Sequence, residues 1–186
     1  GHIGHLVVGV GQTGQSIAAY LKDKGRSFIL YDTRDSLKDH DAIAQKFNVP
    51  LYLATLPEAL WPQIQELIVS PGVDLETPVI QKAKALDLPI YGDIECLARE
   101  IKAPIVAITG TNGKSTVTSL VGEMAKAEGI DVAIAGNIGT PVMSQWLAHQ
   151  HAALWVLELS SFQLDLTDSL KAKAATLLNV SPDHLD

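Results

Sequence analysis

Gly110-Thr111-Asn112-Gly113-Lys114-Ser115-Thr116 joins an apolar run, Ile105 to Ile108, to a helical pattern. Glycines at 110 and 113 free backbone N–H groups to wrap phosphate oxygens, Lys114 can neutralise β and γ phosphates, and the Ser115 or Thr116 hydroxyl can ligate magnesium. The chemistry implied is triphosphate binding. The full phosphate-loop spacing would place its first glycine at position 108, which is Ile108, so the loop is of a shortened type. The bland alternative is a glycine turn with a surface lysine, against which the Gly-Lys-Ser-Thr order and both flanking elements speak.

A second signal, Gly9-Val10-Gly11-Gln12-Thr13-Gly14, also lies between an apolar run and a helical pattern, and Asp32 closes the next run. Such glycines allow a tight turn and close approach of a ligand to a helix N-terminus, while the acid can hold a ribose hydroxyl or a base edge. The fingerprint alone does not choose the ligand. Arg34, two residues past the acid, speaks against plain NAD because a guanidinium favours an anionic or carbonyl-rich group.

Parallel strands present their carboxyl ends on one edge of a sheet, where ligands of such folds bind. That topology gathers the Lys114 loop, Glu158 and the Asn179-to-His184 loop. Glu158 ends an apolar strand, so its carboxylate needs a cation or hydrogen-bond donor. With His184 it forms a candidate site for a second magnesium or its bound water. Ser160 and Ser161 have no histidine base nearby and read as ligand hydrogen-bonders. Gly136-Asn137-Ile138-Gly139 reads as a turn. Cys96 reads as a small apolar residue on a helix face, His149 and His151 as solvated, and His2, His5 and His40 belong to no constellation.

The elements that position these residues alternate along the chain as in an α/β protein with parallel sheets. Apolar runs cover 6–10, 28–31, 67–69, 105–108, 153–157 and 174–178, with a helical stretch near 77–86. Val117, Leu120, Val121 and Met124 recur at helical spacing, the pattern of a core-facing stripe. The Ile101-Lys102-Ala103-Pro104 junction predicts a boundary near residue 102. The expected architecture is a Rossmann-like parallel-sheet domain, 1–102, followed by part of a phosphate-loop ATPase-type α/β domain, 103–186, which reads as truncated.

The 186 residues are 47% hydrophobic and 19% charged, enough apolar matter for a sizeable core. Asp and Glu number 21 against 14 Lys and Arg, a net charge of -7, which gives no basic surface for nucleic acid or anionic membrane. The single cysteine excludes an intrachain disulfide framework, and no run approaches the roughly 20 apolar residues of a membrane span. A cytoplasmic setting is the expectation.

Together the motifs resemble one family, the Mur ligases, ATP-dependent amide-forming enzymes that build the peptide stem of bacterial peptidoglycan and so sustain cell wall, shape and division. GTNGKST (110–116) is similar to their ATP loop. Within the family, Glu158-Leu159-Ser160-Ser161-Phe162-Gln163-Leu164, Asp32-Thr33-Arg34, Ser70-Pro71-Gly72 and Gly136-Asn137-Ile138-Gly139 are similar to the branch that adds D-glutamate to UDP-N-acetylmuramoyl-L-alanine.

The resemblance implies a monomeric three-domain enzyme, of which this chain carries the first domain, part of the second, and none of the C-terminal amino-acid-binding domain. It implies that Gly11, Gln12, Thr13, Gly14, Asp32, Thr33, Arg34, Ser70, Pro71 and Gly72 hold the UDP moiety. Asn137, Ser160 and His184 would face the rest of the substrate. Gly110, Thr111, Asn112, Gly113, Lys114, Ser115 and Thr116 would bind ATP. Ser115, Thr116, Glu158 and His184 would hold Mg2+, and Lys114, Glu158 and His184 would be catalytic. A carbamylated lysine of the family would fall beyond Asp186, and the chain alone is expected to be inactive. The alternatives are a sister amide ligase, including folylpolyglutamate synthetase, an NAD-dependent oxidoreductase, or a non-catalytic nucleotide-binding module.

Overall fold

The computed structural model describes residues 3–110, 113–136, 139–170 and 174–180, the last as backbone alone. Two compact units, 1–93 and 94–186, divide the chain. In the first, β1 (Gly4–Val8), β2 (Phe28–Asp32), β3 (Leu51–Leu53), β4 (Ile64–Val69) and β5 (Ile90–Gly92) form a parallel sheet in the order β3-β2-β1-β4-β5. The chain winds outward from β1 through β2 and β3, then crosses to β4 on the other side of β1. The carboxyl ends of β1 and β4 therefore flank a topological switch point, the place where open sheets of this kind bind ligands.

Both faces of this sheet are covered, which is why its strands read as continuous apolar runs. Leu6, Val8, Ile29, Tyr31, Leu67 and Val69 pack on one face with Val79, Ile80 and Ala83 of α3 (Pro78–Ala85) and with Trp61 of the 3-10 helix Glu58–Gln63. The alternate residues Val7, Leu30 and Ile68 are buried on the opposite face. Helix α1 (Gln12–Asp23) packs on β1 and β2 and buries Ile17, Ala18 and Leu21. Burial of a side chain the size of Ile17 or Leu21 contributes on the order of 1.5–3 kcal/mol. Gly14 is the residue that lets α1 come this close, because a methyl there would lie 1.7 Å from the Gly9 carbonyl oxygen.

Helix α2 (His40–Phe47) and β3 carry no strong signal in the sequence. The helix buries only Ile43 and Phe47, and three residues of edge strand give periodicity nothing to act on. Helix α4 (Asp93–Glu100) follows β5 without a loop and goes with the second unit, so the division falls at 93/94 where the Ile101-Lys102-Ala103-Pro104 junction pointed to about 102. The reason is Glu95, whose buried carboxylate accepts hydrogen bonds from the Asp168 and Ser169 backbone.

In the second unit, β6 (Ile105–Gly110), β7 (Val132–Gly136), β8 (Leu154–Glu158) and β9 (Ala174–Val180) form a parallel sheet in the order β7-β8-β6-β9. β6 is central, and Trp155, Val156 and Leu157 of β8 are almost wholly buried. α5 (Lys114–Ala127) packs on β6, β7 and β8, and Trp146 of α6 (Val142–Ala148) meets Trp155 with ring centroids 6.1 Å apart.

The apolar stripe expected on α5 does not face the sheet. Leu120 is 58% and Met124 61% exposed, Val117 and Val121 are half-buried, and Thr118, Gly122 and Ala125 are the buried face. Small residues sit there because the Ile134 side chain already fills the space, a methyl at Gly122 falling 2.6 Å from Ile134 Cδ1. In the 186-residue chain, Leu120→Gln or Met124→Gln should change the unfolding free energy by less than about 0.5 kcal/mol. Gly122→Val should cost about 1–3 kcal/mol by overpacking. Urea denaturation of the three variants checks both statements.

Candidate functional site

Four backbone and side-chain donors converge on Asp32 at the end of β2. Its carboxylate accepts from Val10 N at 3.0 Å, Arg34 N at 3.0 Å, Arg34 Nε at 2.8 Å and Arg34 Nη2 at 3.1 Å. Burial pushes this carboxyl up, but the Arg34 fork, the two N–H groups and the Arg34 charge outweigh it and hold the group below the usual aspartate range. The carboxylate thus ties the β1–α1 turn to the turn after β2. It leaves little capacity for a ribose diol, while Thr33 and Arg34 remain exposed.

The remaining first-unit candidates surround that tie. Gly11 is the N-cap of α1 and makes no side-chain cap, so the first helical N–H groups have no partner of that kind. Gly11 and Gln12 are exposed, Thr13 half-buried and Gly14 buried. The buried Ser70 hydroxyl donates to Gly9 O at 3.4 Å and carries the chain into the half-buried Pro71 and exposed Gly72. The structure therefore brings the 9–14 turn, Asp32-Thr33-Arg34 and 70–72 to the switch point. Gln15, unremarked in the sequence, steadies the turn by donating to Val10 O at 3.0 Å.

The second unit places its candidates at the carboxyl ends of β6 and β8. Gly110 ends β6, and Gly113 with φ 80° begins α5 without a side-chain cap. Lys114 Nζ donates to Leu159 O at 3.4 Å, and Ser115 Oγ donates to Glu158 Oε2 at 3.2 Å and Oε1 at 3.3 Å. Register fixes this meeting, since Glu158 stands opposite Ile108 of β6 and Gly136 of β7. Glu158 is 4% exposed and, among the described residues, has no basic partner. A buried carboxylate answered only by a neutral hydroxyl calls for a cation. One carboxylate and one hydroxyl beside a phosphate loop suit magnesium, which keeps several waters and takes phosphate oxygens as further ligands. Among the described residues no cluster of three or more His, Cys, Asp or Glu forms a complete metal cage.

Thr116, like Ser115, is exposed in the first turn of α5. Thr111, Asn112, Asn137 and His184 lie outside the described residues. Ser160 acts within its own turn, where its hydroxyl accepts from Gln163 N at 3.2 Å while its own N–H donates to Gln163 Oε1 at 3.0 Å. This reciprocal cap starts α7 (Ser161–Asp165). The Ser-Ser-Phe-Gln spacing is a capping-box signature that could have revealed it. Thr118 Oγ1, one turn beyond Lys114, is fully buried without a partner among the described residues, and only its polarity within an apolar face could have marked it. No helix among the described residues is long and apolar enough to cross a membrane.

Residues 4–92 match the family model "Mur ligase MurD-like, N-terminal domain", and residues 108–186 match "Mur ligase middle domain". The chain is 57% identical over 186 residues to UDP-N-acetylmuramoylalanine--D-glutamate ligase of Legionella pneumophila, covering all of this chain and 42% of that protein. The enzyme of the same name from Marinobacter nauticus is 50% identical over 182 residues, covering 97% of this chain and 40% of that one. The chain thus spans about two-fifths of the length of these curated relatives. A crystal structure of UDP-N-acetylmuramate:L-alanyl-gamma-D-glutamyl-meso-diaminopimelate ligase from Neisseria meningitides matches with TM-score 0.54 and 16% identity, covering 100% of this chain and 63% of that one, a likeness of fold.

Because Asp32 is held below its usual range, it contributes stability that is complete above the unfolded-state pKa of about 3.9 and fades as pH falls through the lower, folded-state value. Wild type should therefore lose more stability than Asp32→Asn between about pH 6 and pH 2. Parallel denaturation midpoints across that range would show that the tie contributes nothing.

Proposed function

The chain belongs to the Mur ligase family, and we propose that the protein it represents is the ATP-dependent ligase that joins D-glutamate to UDP-N-acetylmuramoyl-L-alanine. The observation that carries this reading is the meeting of Lys114, Ser115 and the cation-seeking Glu158 at one sheet edge. The relatives' shared name supplies the substrate pair.

In this reading the first unit holds the uridine diphosphate end at the 9–14 turn, the 32–34 turn and 70–72. The α1 N-terminus faces the diphosphate, because uncapped N–H groups there favour an anion. Arg34 and Thr33 are the exposed donors beside it, with Asp32 aligning the guanidinium. Gly11, Gln12, Thr13, Gly14, Ser70, Pro71 and Gly72 shape the pocket by close backbone approach.

The 110–116 loop cradles the ATP phosphates. Lys114 exchanges its long contact with Leu159 O for β- and γ-phosphate oxygens, placing an ammonium where charge develops. Ser115, Thr116 and Glu158 are the described residues that would hold Mg2+, with His184 completing the proposed set. Bound magnesium supplies charge neutralisation and alignment of the phosphoryl group. The γ-phosphoryl group passes from ATP to the alanyl carboxylate: its bond to the β-phosphate oxygen breaks, releasing ADP, and its bond to a carboxylate oxygen forms, giving an acyl phosphate. The D-glutamate amine then attacks that carbonyl, forms the amide and expels inorganic phosphate after losing a proton. The chain's residues act by positioning and electrostatics, so no enzyme nucleophile is needed. Asn137 is proposed to meet the muramoyl-alanine region.

In the full-length protein, Lys114→Ala should lower substrate-dependent ADP release at least about 100-fold. Near-normal ADP release would contradict the phosphate-loop assignment. Calorimetry with the first unit intact should give heat with UDP-N-acetylmuramoyl-L-alanine and none with NADH, and the reverse pattern would remove the ligase reading of the 9–14 turn.

A further inference from the structure

Glu95 lies outside every motif that points to chemistry, yet it is one of the best-satisfied carboxylates in the second unit. It is 2% exposed on α4. It accepts from Asp168 N and Ser169 N at 2.8 Å each, from Ser169 Oγ at 2.6 Å and from Arg99 Nε at 2.6 Å. Two consecutive N–H groups and a hydroxyl aimed at one carboxylate make a cap supplied from another element. Burial pushes the carboxyl up, but these donors hold it below the usual glutamate range, so it is charged at neutral pH.

The turn that Glu95 caps is linked by hydrogen bonds, step by step, to the proposed phosphate site. Thr167, 3% exposed, donates its hydroxyl to Gln163 O at 2.8 Å. Gln163, 4% exposed, is locked to Ser160 through the reciprocal cap. Ser160 follows Leu159, whose carbonyl is the acceptor of Lys114 Nζ and whose N–H donates to Ile108 O at 2.9 Å. Glu158 is the next residue back. Every joint in this sequence is buried or partly buried, where a hydrogen bond is least exchanged for water.

We propose that Glu95 is a positioning residue for the phosphate and magnesium site, bracing the 158–169 segment through Ser169, Thr167, Gln163 and Ser160. The inference rests on the ligase reading for what the braced segment does. Its premise is that Glu158 must keep a fixed distance from Ser115 at the start of α5. The β8 register holds one end of the segment, and Glu95 holds the other. Loss of the cap lets the Ser160–Gln163 turn drift and weakens metal and ATP engagement, while the first-unit pocket is untouched.

The test uses the full-length protein with Glu95→Gln, which keeps the shape but replaces one acceptor oxygen by a donor. The magnesium concentration giving half-maximal ATP turnover should rise about three- to tenfold, with KM for UDP-N-acetylmuramoyl-L-alanine unchanged within about twofold, a split that mere loss of folded protein would not produce. Independently of activity, amide exchange should accelerate at Ser160 and Gln163 as well as at Asp168 and Ser169. Exchange confined to 168–169, or an unaltered magnesium dependence in an active variant, overturns the proposal. If wild type shows no magnesium-dependent ATP turnover, the ligase reading fails and the brace is judged on exchange alone. Thr167→Val, which removes one hydroxyl from the middle of the brace, should reproduce both effects more weakly. It decides the matter if Glu95→Gln does not fold, and its failure to move either readout then overturns the proposal.

Discussion

A carboxylate removed from water must be answered by charge or by donors, and among the described residues Glu158 is answered only by the Ser115 hydroxyl. The fold keeps it there because β8 is fixed between β6 and β7, so Glu158 cannot turn outward without breaking the register. The same register brings it to the start of α5, where Lys114 and Ser115 project. The site is therefore a charge deficit built by strand pairing and open to a cation.

The first unit uses a similar strand-turn-helix device to the opposite end. Asp32 also closes a buried strand beside a glycine turn, but Arg34 and two N–H groups satisfy it within the chain. Its work is done before any ligand arrives: it sets the turn and the guanidinium. Two units built on the same strand-turn-helix device thus differ in whether the strand-end acid is neutralised internally. Glycine count alone would not distinguish them.

What the sequence made legible follows from the range of the physics involved. Strands buried on both faces, such as 67–69 and 153–157, appear as apolar runs, and the turns after them appear as glycines and acids, because both signals are local. The α/β class and the clustering of 32–34 with the 9–14 turn, and of 114–115 with 158, follow from that and from parallel topology. The short β3, the sparse α2 and β7 with its small residues carry too little periodicity to be read. The α5 stripe misleads for a different reason: helical spacing reports an apolar face, whereas the sheet here selects the small face, Thr118, Gly122 and Ala125, which permits closer packing.

Glu95 shows the deeper limit. Nothing around it in sequence distinguishes it from a solvated helix glutamate, and Arg99 four residues on suggests an ordinary surface pair. Its partners lie 73 and 74 residues away, so its burial and its role exist only once α4 and the turn at 168–169 have come together. Asp32, Glu95 and Glu158 are chemically near-equivalent acids with three different fates. The first is neutralised by a neighbour in sequence, the second by Arg99 on its own helix and by donors distant in sequence, and the third, among the described residues, meets a single hydroxyl and no positive charge. In the proposed reading only the last is left to act on a ligand. The most informative carboxylate in a fold of this kind is therefore the buried one still short of a cation, and residues with complete partners matter by holding that one still.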